Sequence, residues 1–306
     1  MILPPFIPLA GDPIAGLPYL HFDATLHAIL VRGSRSAQQA LVDRTLNKIP
    51  GGRFEAISSL VLLTALYVER VTSGHPDYAE RGSISESDIG FWTLTFGGPS
   101  GRQRRPRWFP SYLFVDGAAA LFAGREVFGY PKFLGSPDRG PDLKNDLAVK
   151  VRTQFFEKFG ASARPVFDVL FETSGRSLPG AKNERLPDMA ALEERFADHL
   201  LDKRTGRLAS RLSLPYGRMP MVFVKQFRNI AQPDLASYQA VTETVVKTTR
   251  LRSVELKSPP KLKLVESASH PIGRDLGINP ETKAILAACV RHDFKVGAGS
   301  ELVRAS

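Results

Sequence analysis

Apolar positions along the chain fall mostly into short runs bounded by glycine, proline and polar turns, the pattern of strands, while few stretches carry helical spacing. Ala24–Arg32 alternates well enough for a strand, and the long apolar run Leu60–Val68 suits a central one. Phe91–Phe96 predicts another strand after the polar segment Ser83–Asp88. Trp108–Ala123 reads as a strand or a pair of strands, Tyr112–Asp116 and Ala119–Ala123. Strands resume at Leu147–Thr153, Pro165–Phe171 and Pro220–Phe227, continue through Tyr238–Leu256 and close near Ile285–Phe294, with a loop expected over residues 174–186.

Two helices stand out. Ser36 is placed to cap one that runs to about Asn47, with Ala37, Ala40, Leu41 and Leu46 at helical spacing. The clearer one lies within Leu186–Leu201, capped by Asp188, with Met189, Leu192, Phe196 and Leu200 on one face; His199 there reads as structural. The first 20 residues carry Pro4, Pro5, Pro8, Pro13 and Pro18, an arm that cannot enter a sheet interior and is expected to wrap the surface or a partner subunit. Many short strands and no strand–helix–strand rhythm predict a mainly β (α+β) fold. It is mostly antiparallel with peripheral helices, a single domain over residues 1–306.

Charge changes the picture only a little. A net charge of +10, from 41 basic and 31 acidic residues, favours anionic partners without choosing among nucleic acid, membrane and a carboxylate substrate. Arg102, Arg104, Arg105 and Arg107 form one basic run, which reads as a solvated hairpin tip rather than a nucleic-acid contact because no nucleic-acid motif accompanies it. No run reaches the roughly 18 apolar residues of a membrane span, and the N-terminus lacks a basic region, so a soluble, cytoplasmic protein is expected. The single cysteine, Cys289, excludes an intramolecular disulfide and reads as a small core residue. No phosphate loop, dinucleotide fingerprint, paired-histidine motif or nucleophile elbow is present, and no metal or organic cofactor is expected.

One stretch does carry chemistry. Between Gly124 and Gly135, Lys132 stands among Phe128, Tyr130, Pro131, Phe133 and Leu134. A free lysine, with a pKa of roughly 10.4, is protonated at neutral pH and cannot attack a carbonyl; burial can make it a nucleophile able to form a Schiff base. Composition alone favours the alternative of a surface lysine with its stem laid over aromatic rings.

Gly124-Arg125-Glu126, three further residues, then Tyr130-Pro131-Lys132 resembles the signature of the acetoacetate decarboxylase family, which continues with a second lysine. The resemblance is clearest over residues 85–135 and implies a closed, antiparallel β-barrel-like core holding a Schiff-base lysine in an apolar cavity. The nucleophile's role falls on Lys132. The second lysine, the neighbouring cation known to activate the first in that family, is replaced by Phe133, so burial is left to tune the amine.

The family's acidic segment upstream of the lysine is matched by Ser85-Glu86-Ser87. Glu86 is then either a cavity carboxylate for proton transfer or an exposed acid in a polar loop. An arginine and a second glutamate of the family have no counterpart where they would fall, near Ala24 and Leu60–Leu62.

The resemblance makes Lys132, Glu86, Tyr130 and Glu126 the candidate catalytic residues; Phe128 and Phe133, apolar neighbours of Lys132 in the chain, are candidate substrate contacts. Lys225, set among apolar residues, is a reserve cationic contact or a sheet-edge lysine. The implied activity is a Schiff-base lyase decarboxylating a β-keto acid, with an aldolase-dehydratase or cyclase acting on an α-keto acid in secondary metabolism as the alternative. Family members often form symmetric homo-oligomers. A non-catalytic binder of an apolar carboxylate is the reading from another class.

Overall fold

The computed structural model describes residues 5–7, 14–78, 82–100, 104–139, 147–174, 183–200 and 217–305. Most of the proline-rich arm, Arg102 and part of the loop over 174–186 lie outside them.

The strands are β1 (Tyr19–Arg32), β2 (Gly52–Ala56), β3 (Leu60–Ser73), β4 (Ile84–Pro99), β5 (Arg105–Val115), β6 (Lys132–Leu134), β7 (Ser136–Arg139) and β8 (Val149–Phe155). They continue with β9 (Val166–Ser174), β10 (Glu184–Leu186), β11 (Arg218–Arg228), β12 (Ala236–Lys257), β13 (Lys261–Leu264), β14 (Glu281–Lys283), β15 (Leu286–Val296) and β16 (Ser300–Arg304). Helices are short: α1 (Arg35–Asp43), α2 (Ala118–Phe122), α3 (Met189–Leu200) and α4 (Ile272–Leu276). The fold is mainly β.

The larger sheet runs β2-β4-β3-β1-β15-β12-β11-β5-β6, with β10 and β16 paired to β12. Its pairings are antiparallel except β5–β6 and the single Met221–Trp108 pair between β11 and β5. β4 also pairs with β5. The smaller sheet, β14-β13-β9-β8-β7, packs on one face of the larger.

The apolar run of β3 needs two buried faces, and it has them. Val61, Leu63, Ala65 and Tyr67 join the core that includes Val149, Val151 and Phe171 of the smaller sheet; Leu60, Leu62 and Val68 join a second core with Trp92, Trp108, Met221, Phe294 and, from α3, Phe196. Alternation across a strand places them so. The second core surrounds the cavity described below.

Several boundaries differ from the sequence reading. Ala119–Ala123 is largely helical, as α2, because a run of alanines offers no alternating face and alanine is the strongest helix former. Lys132 therefore follows a helical segment, continued by a wide turn over Ala123–Phe128, and not a strand. α1 is capped by Ser34 and ends at Asp43, and Leu46–Lys48 forms a separate turn.

Arg107 is not part of a solvated tip. It is 3% exposed and paired with Glu243 of β12, to which Arg105 also binds. Cys289 is buried, and burial pushes its thiol up to about 11. No helix among the described residues is long and apolar enough to cross a membrane.

Candidate active site

Lys132 opens β6, paired in parallel with Leu113 of β5, and its side chain is 7% exposed. The preceding segment is shaped to admit that side chain. A Cβ on Gly124 would lie 2.5 Å from Lys132 Cδ and 2.8 Å from Cε, so only glycine leaves room for the lysine stem. Gly129, at φ +94°, ends the helical segment in the left-handed region, and the Gly129 and Tyr130 amides both donate to the Gly124 carbonyl. Arg125 Nη1 donates to the Lys132 carbonyl at 3.2 Å, fixing the backbone of the lysine.

Two carboxylates meet the ammonium. Lys132 Nζ lies 2.9 Å from Glu86 Oε1 and 3.2 Å from Asp88 Oδ2, all three side chains being buried or nearly so. Glu86 and Asp88 stand two apart on β4 and therefore face the same way. Burial alone would lower the lysine's pKa, but the facing Glu86 and Asp88 charges outweigh it and hold the amine above its ordinary value. Burial thus does not make Lys132 a free base beside these two carboxylates, contrary to the sequence expectation.

One ammonium cannot offset two buried carboxylates, and the excess appears at Asp88. Burial, with Glu86 beside it, pushes its carboxyl up to about 6 despite the lysine. Glu86 goes the other way. Burial would raise it, but the charge and hydrogen bond of Lys132 leave it below the usual range.

These groups line a cavity of about 490 Å³. His21 of β1 and His292 of β15 line it too. Each is pushed down to about 4, chiefly by burial, and so is a neutral imidazole. His21 stacks on Phe294 at 4.1 Å between ring centroids. Among the described residues, His21 Nδ1 and His292 Nε2 have no hydrogen-bond partner.

The other expected site residues divide. Tyr130 lines the cavity with its ring centroid 5.4 Å from Lys132 Nζ, and its hydroxyl reaches Met221 Sδ at 3.4 Å. Phe128 also lines the cavity and packs edge-on against Tyr130. Phe133 does not. Next to Lys132 on a strand, it points to the opposite face and packs against Phe114 and His270.

Glu126 is exposed, on the turn that carries Arg125, and is not among the cavity's lining residues. Lys225 shares the Met221 face of β11 but lies four residues along the strand, outside the cavity wall. Its Nζ donates to the Val127 carbonyl at 3.1 Å, and burial lowers its pKa.

Asp88, His21 and His292 were not singled out from the sequence. A period of two from Glu86 would have pointed to Asp88 had the strand been started at Ile84. His21 is hidden by a bulge between His21 and Ala24, where Asp23 has φ +56°; the extra residue resets the alternation.

No family model matches the chain, and no curated protein matches it in sequence. Solved structures do match. Acetoacetate decarboxylase from Legionella pneumophila superposes with a TM-score of 0.66 at 16% identity, covering 99% of this chain and 93% of that one. The chain has the acetoacetate decarboxylase-like fold. Pyruvate-bound MppR, an enzyme of enduracididine biosynthesis, gives 0.58 at 13% identity over 96% of this chain and 93% of its own. An acetoacetate decarboxylase-like enzyme from Sphingomonas wittichii RW1 gives 0.57 at 13% over 97% and 98%. Identities this low carry the fold and leave the chemistry to be argued from the site.

Proposed function

We propose that this protein is a lyase that forms a Schiff base between Lys132 and the ketone of a keto acid, decarboxylating a β-keto acid or a related substrate. The observation that carries the reading is a buried primary amine, bracketed by Glu86 and Asp88, on the wall of an otherwise largely apolar cavity. The same reading makes the larger sheet a closed barrel-like core, consistent with β4 pairing to both β3 and β5.

The resting amine is an ammonium, so the first step is loss of its proton to a carboxylate, and Asp88, raised to about 6, is the better acceptor. The neutral amine adds to the ketone and water leaves, giving a protonated imine. In a β-keto acid the carbon–carbon bond to the carboxylate breaks, its electron pair moves toward the imine nitrogen, and carbon dioxide departs. The resulting enamine takes a proton at carbon from Asp88, reprotonated from water in the cavity, and hydrolysis of the imine frees the ketone and restores Lys132. Tyr130 confines the amine, its ring packed beside the nitrogen, and Phe128 closes the wall behind it.

A second reading uses the same imine on an α-keto acid. A carboxylate then removes a proton from the carbon next to the imine, and the enamine attacks an aldehyde, as an aldolase-dehydratase or cyclase does. It is favoured by two carboxylates in reach of one amine and by the likeness in fold to MppR, solved with pyruvate bound.

The test is intact mass spectrometry after incubation with acetoacetate, pyruvate and larger keto acids plus borohydride, on wild type and Lys132→Ala. An adduct on wild type alone establishes the imine, and its mass shows whether carbon dioxide was lost before reduction. No adduct with any acid would favour a non-catalytic binder in which Lys132 pairs with a ligand carboxylate.

A further inference from the structure

A substrate the size of acetoacetate or pyruvate needs only the corner of the cavity around Lys132. About 490 Å³ falls within the roughly 300–1,000 Å³ of sites that enclose drug-sized ligands, so such an acid would leave most of the space to water against apolar walls. The walls belong to Leu62, Leu66, Trp92, Trp108, Met221 and Phe196, drawn from β3, β4, β5, β11 and α3. Charge is uneven around this lining: Glu86, Asp88 and Lys132 cluster together, while Glu193 and Arg218 are the charged residues on the α3 side, Arg218 being exposed to solvent.

We propose that the substrate is a ketone or keto acid bearing a long or bulky apolar tail, its carbonyl at Lys132 and its tail along the Trp92–Trp108–Phe196 walls. The proposal rests on the imine reading for the reacting end and on the cavity alone for the tail. Burying each added methylene strengthens binding by roughly fourfold until the space is filled.

Acetone, methyl pentyl ketone and methyl nonyl ketone separate the two parts. In wild type, the concentration for half-maximal borohydride trapping is expected to fall at least about a hundredfold from acetone to methyl nonyl ketone. Trapping on Lys132 with half-saturation unchanged across the series would leave the imine standing and overturn the tail.

The second measurement does not need the imine. The chain has 2 tryptophans, Trp92 and Trp108, and both line the cavity, so their fluorescence reports its occupancy. In Lys132→Ala, quenching that tightens with chain length supports the tail even if no ketone is ever trapped; quenching that does not depend on length refutes it. Ala197→Phe, which narrows the α3 wall, is expected to reduce the ratio of long-chain to short-chain affinity at least tenfold, and an unchanged ratio would count against the proposed path of the tail.

Discussion

Arg107 and Lys132 are both buried cations held by glutamates from another strand, yet their surroundings differ in the one respect that separates structure from chemistry. Around Arg107 cations outnumber carboxylates: Glu243 takes Arg107 on one oxygen and Arg105 on the other, and the Gly97 carbonyl accepts from Arg107 as well. A guanidinium does not give up its proton there, even though burial lowers its pKa. Around Lys132 carboxylates outnumber cations. Glu86 and Asp88 share one ammonium, so the amine keeps its proton while a surplus carboxylate stays in contact with it, beside a cavity. A satisfied buried pair locks strands together, whereas an over-supplied one leaves a carboxylate whose protonation depends on pH.

The largest effect should come from breaking the satisfied pair. Glu243→Ala leaves Arg107 buried and unpaired, which is expected to cost about 3–5 kcal/mol in urea unfolding. Borohydride trapping by the protein that remains folded should be unchanged. Loss of trapping with stability intact would reverse the assignment and place Arg107 in the chemistry.

What could be read from the sequence follows the same division. Leu60–Val68 was legible as a central strand because two cores claim both its faces. Lys132 was legible because its spacing from Gly124 reflects a steric need, the passage of the lysine stem over a residue without a side chain. Arg107 looked solvated because its partner, Glu243, is 136 residues away, a pairing no local pattern records. Phe133 was misassigned to the cavity because hydrophobicity says that a residue is buried without saying on which face. His21 was invisible because the bulge at Asp23 shifts the alternation that would have aligned it with Leu26 and Ala28.

A middle-sized effect should come from removing the surplus carboxylate. Asp88 has its folded pKa raised from 3.8 to about 6. The folded state then holds a proton that the unfolded chain releases first, so this contribution is complete below about pH 4 and is lost as pH rises to about 6. That difference is worth about 2–3 kcal/mol between those limits. Asp88→Asn should flatten this part of the stability profile, measured as urea midpoints at pH 4 and pH 7. Parallel profiles for variant and wild type would show that the two carboxylates do not compete for one lysine.

The smallest effect is also the most specific to the imine. Glu86 is the foremost of the two charges that hold Lys132 above its ordinary pKa, against the pull of burial. Replacing it by glutamine keeps a hydrogen-bond acceptor and removes the charge. The free-base fraction of Lys132 should then grow about tenfold at pH 8, the consequence of losing about one pKa unit of support from an adjacent carboxylate. Initial rates of borohydride trapping with a saturating ketone should rise by the same factor, while the wild-type rate is still climbing at the highest pH at which the protein stays folded. No comparable gain is expected from Glu243→Gln, since Arg107 has no free-base form to release. An unchanged rate in Glu86→Gln would mean that another group gates the lysine, and would leave the pairing of Glu86 with Lys132 as structural as that of Glu243 with Arg107.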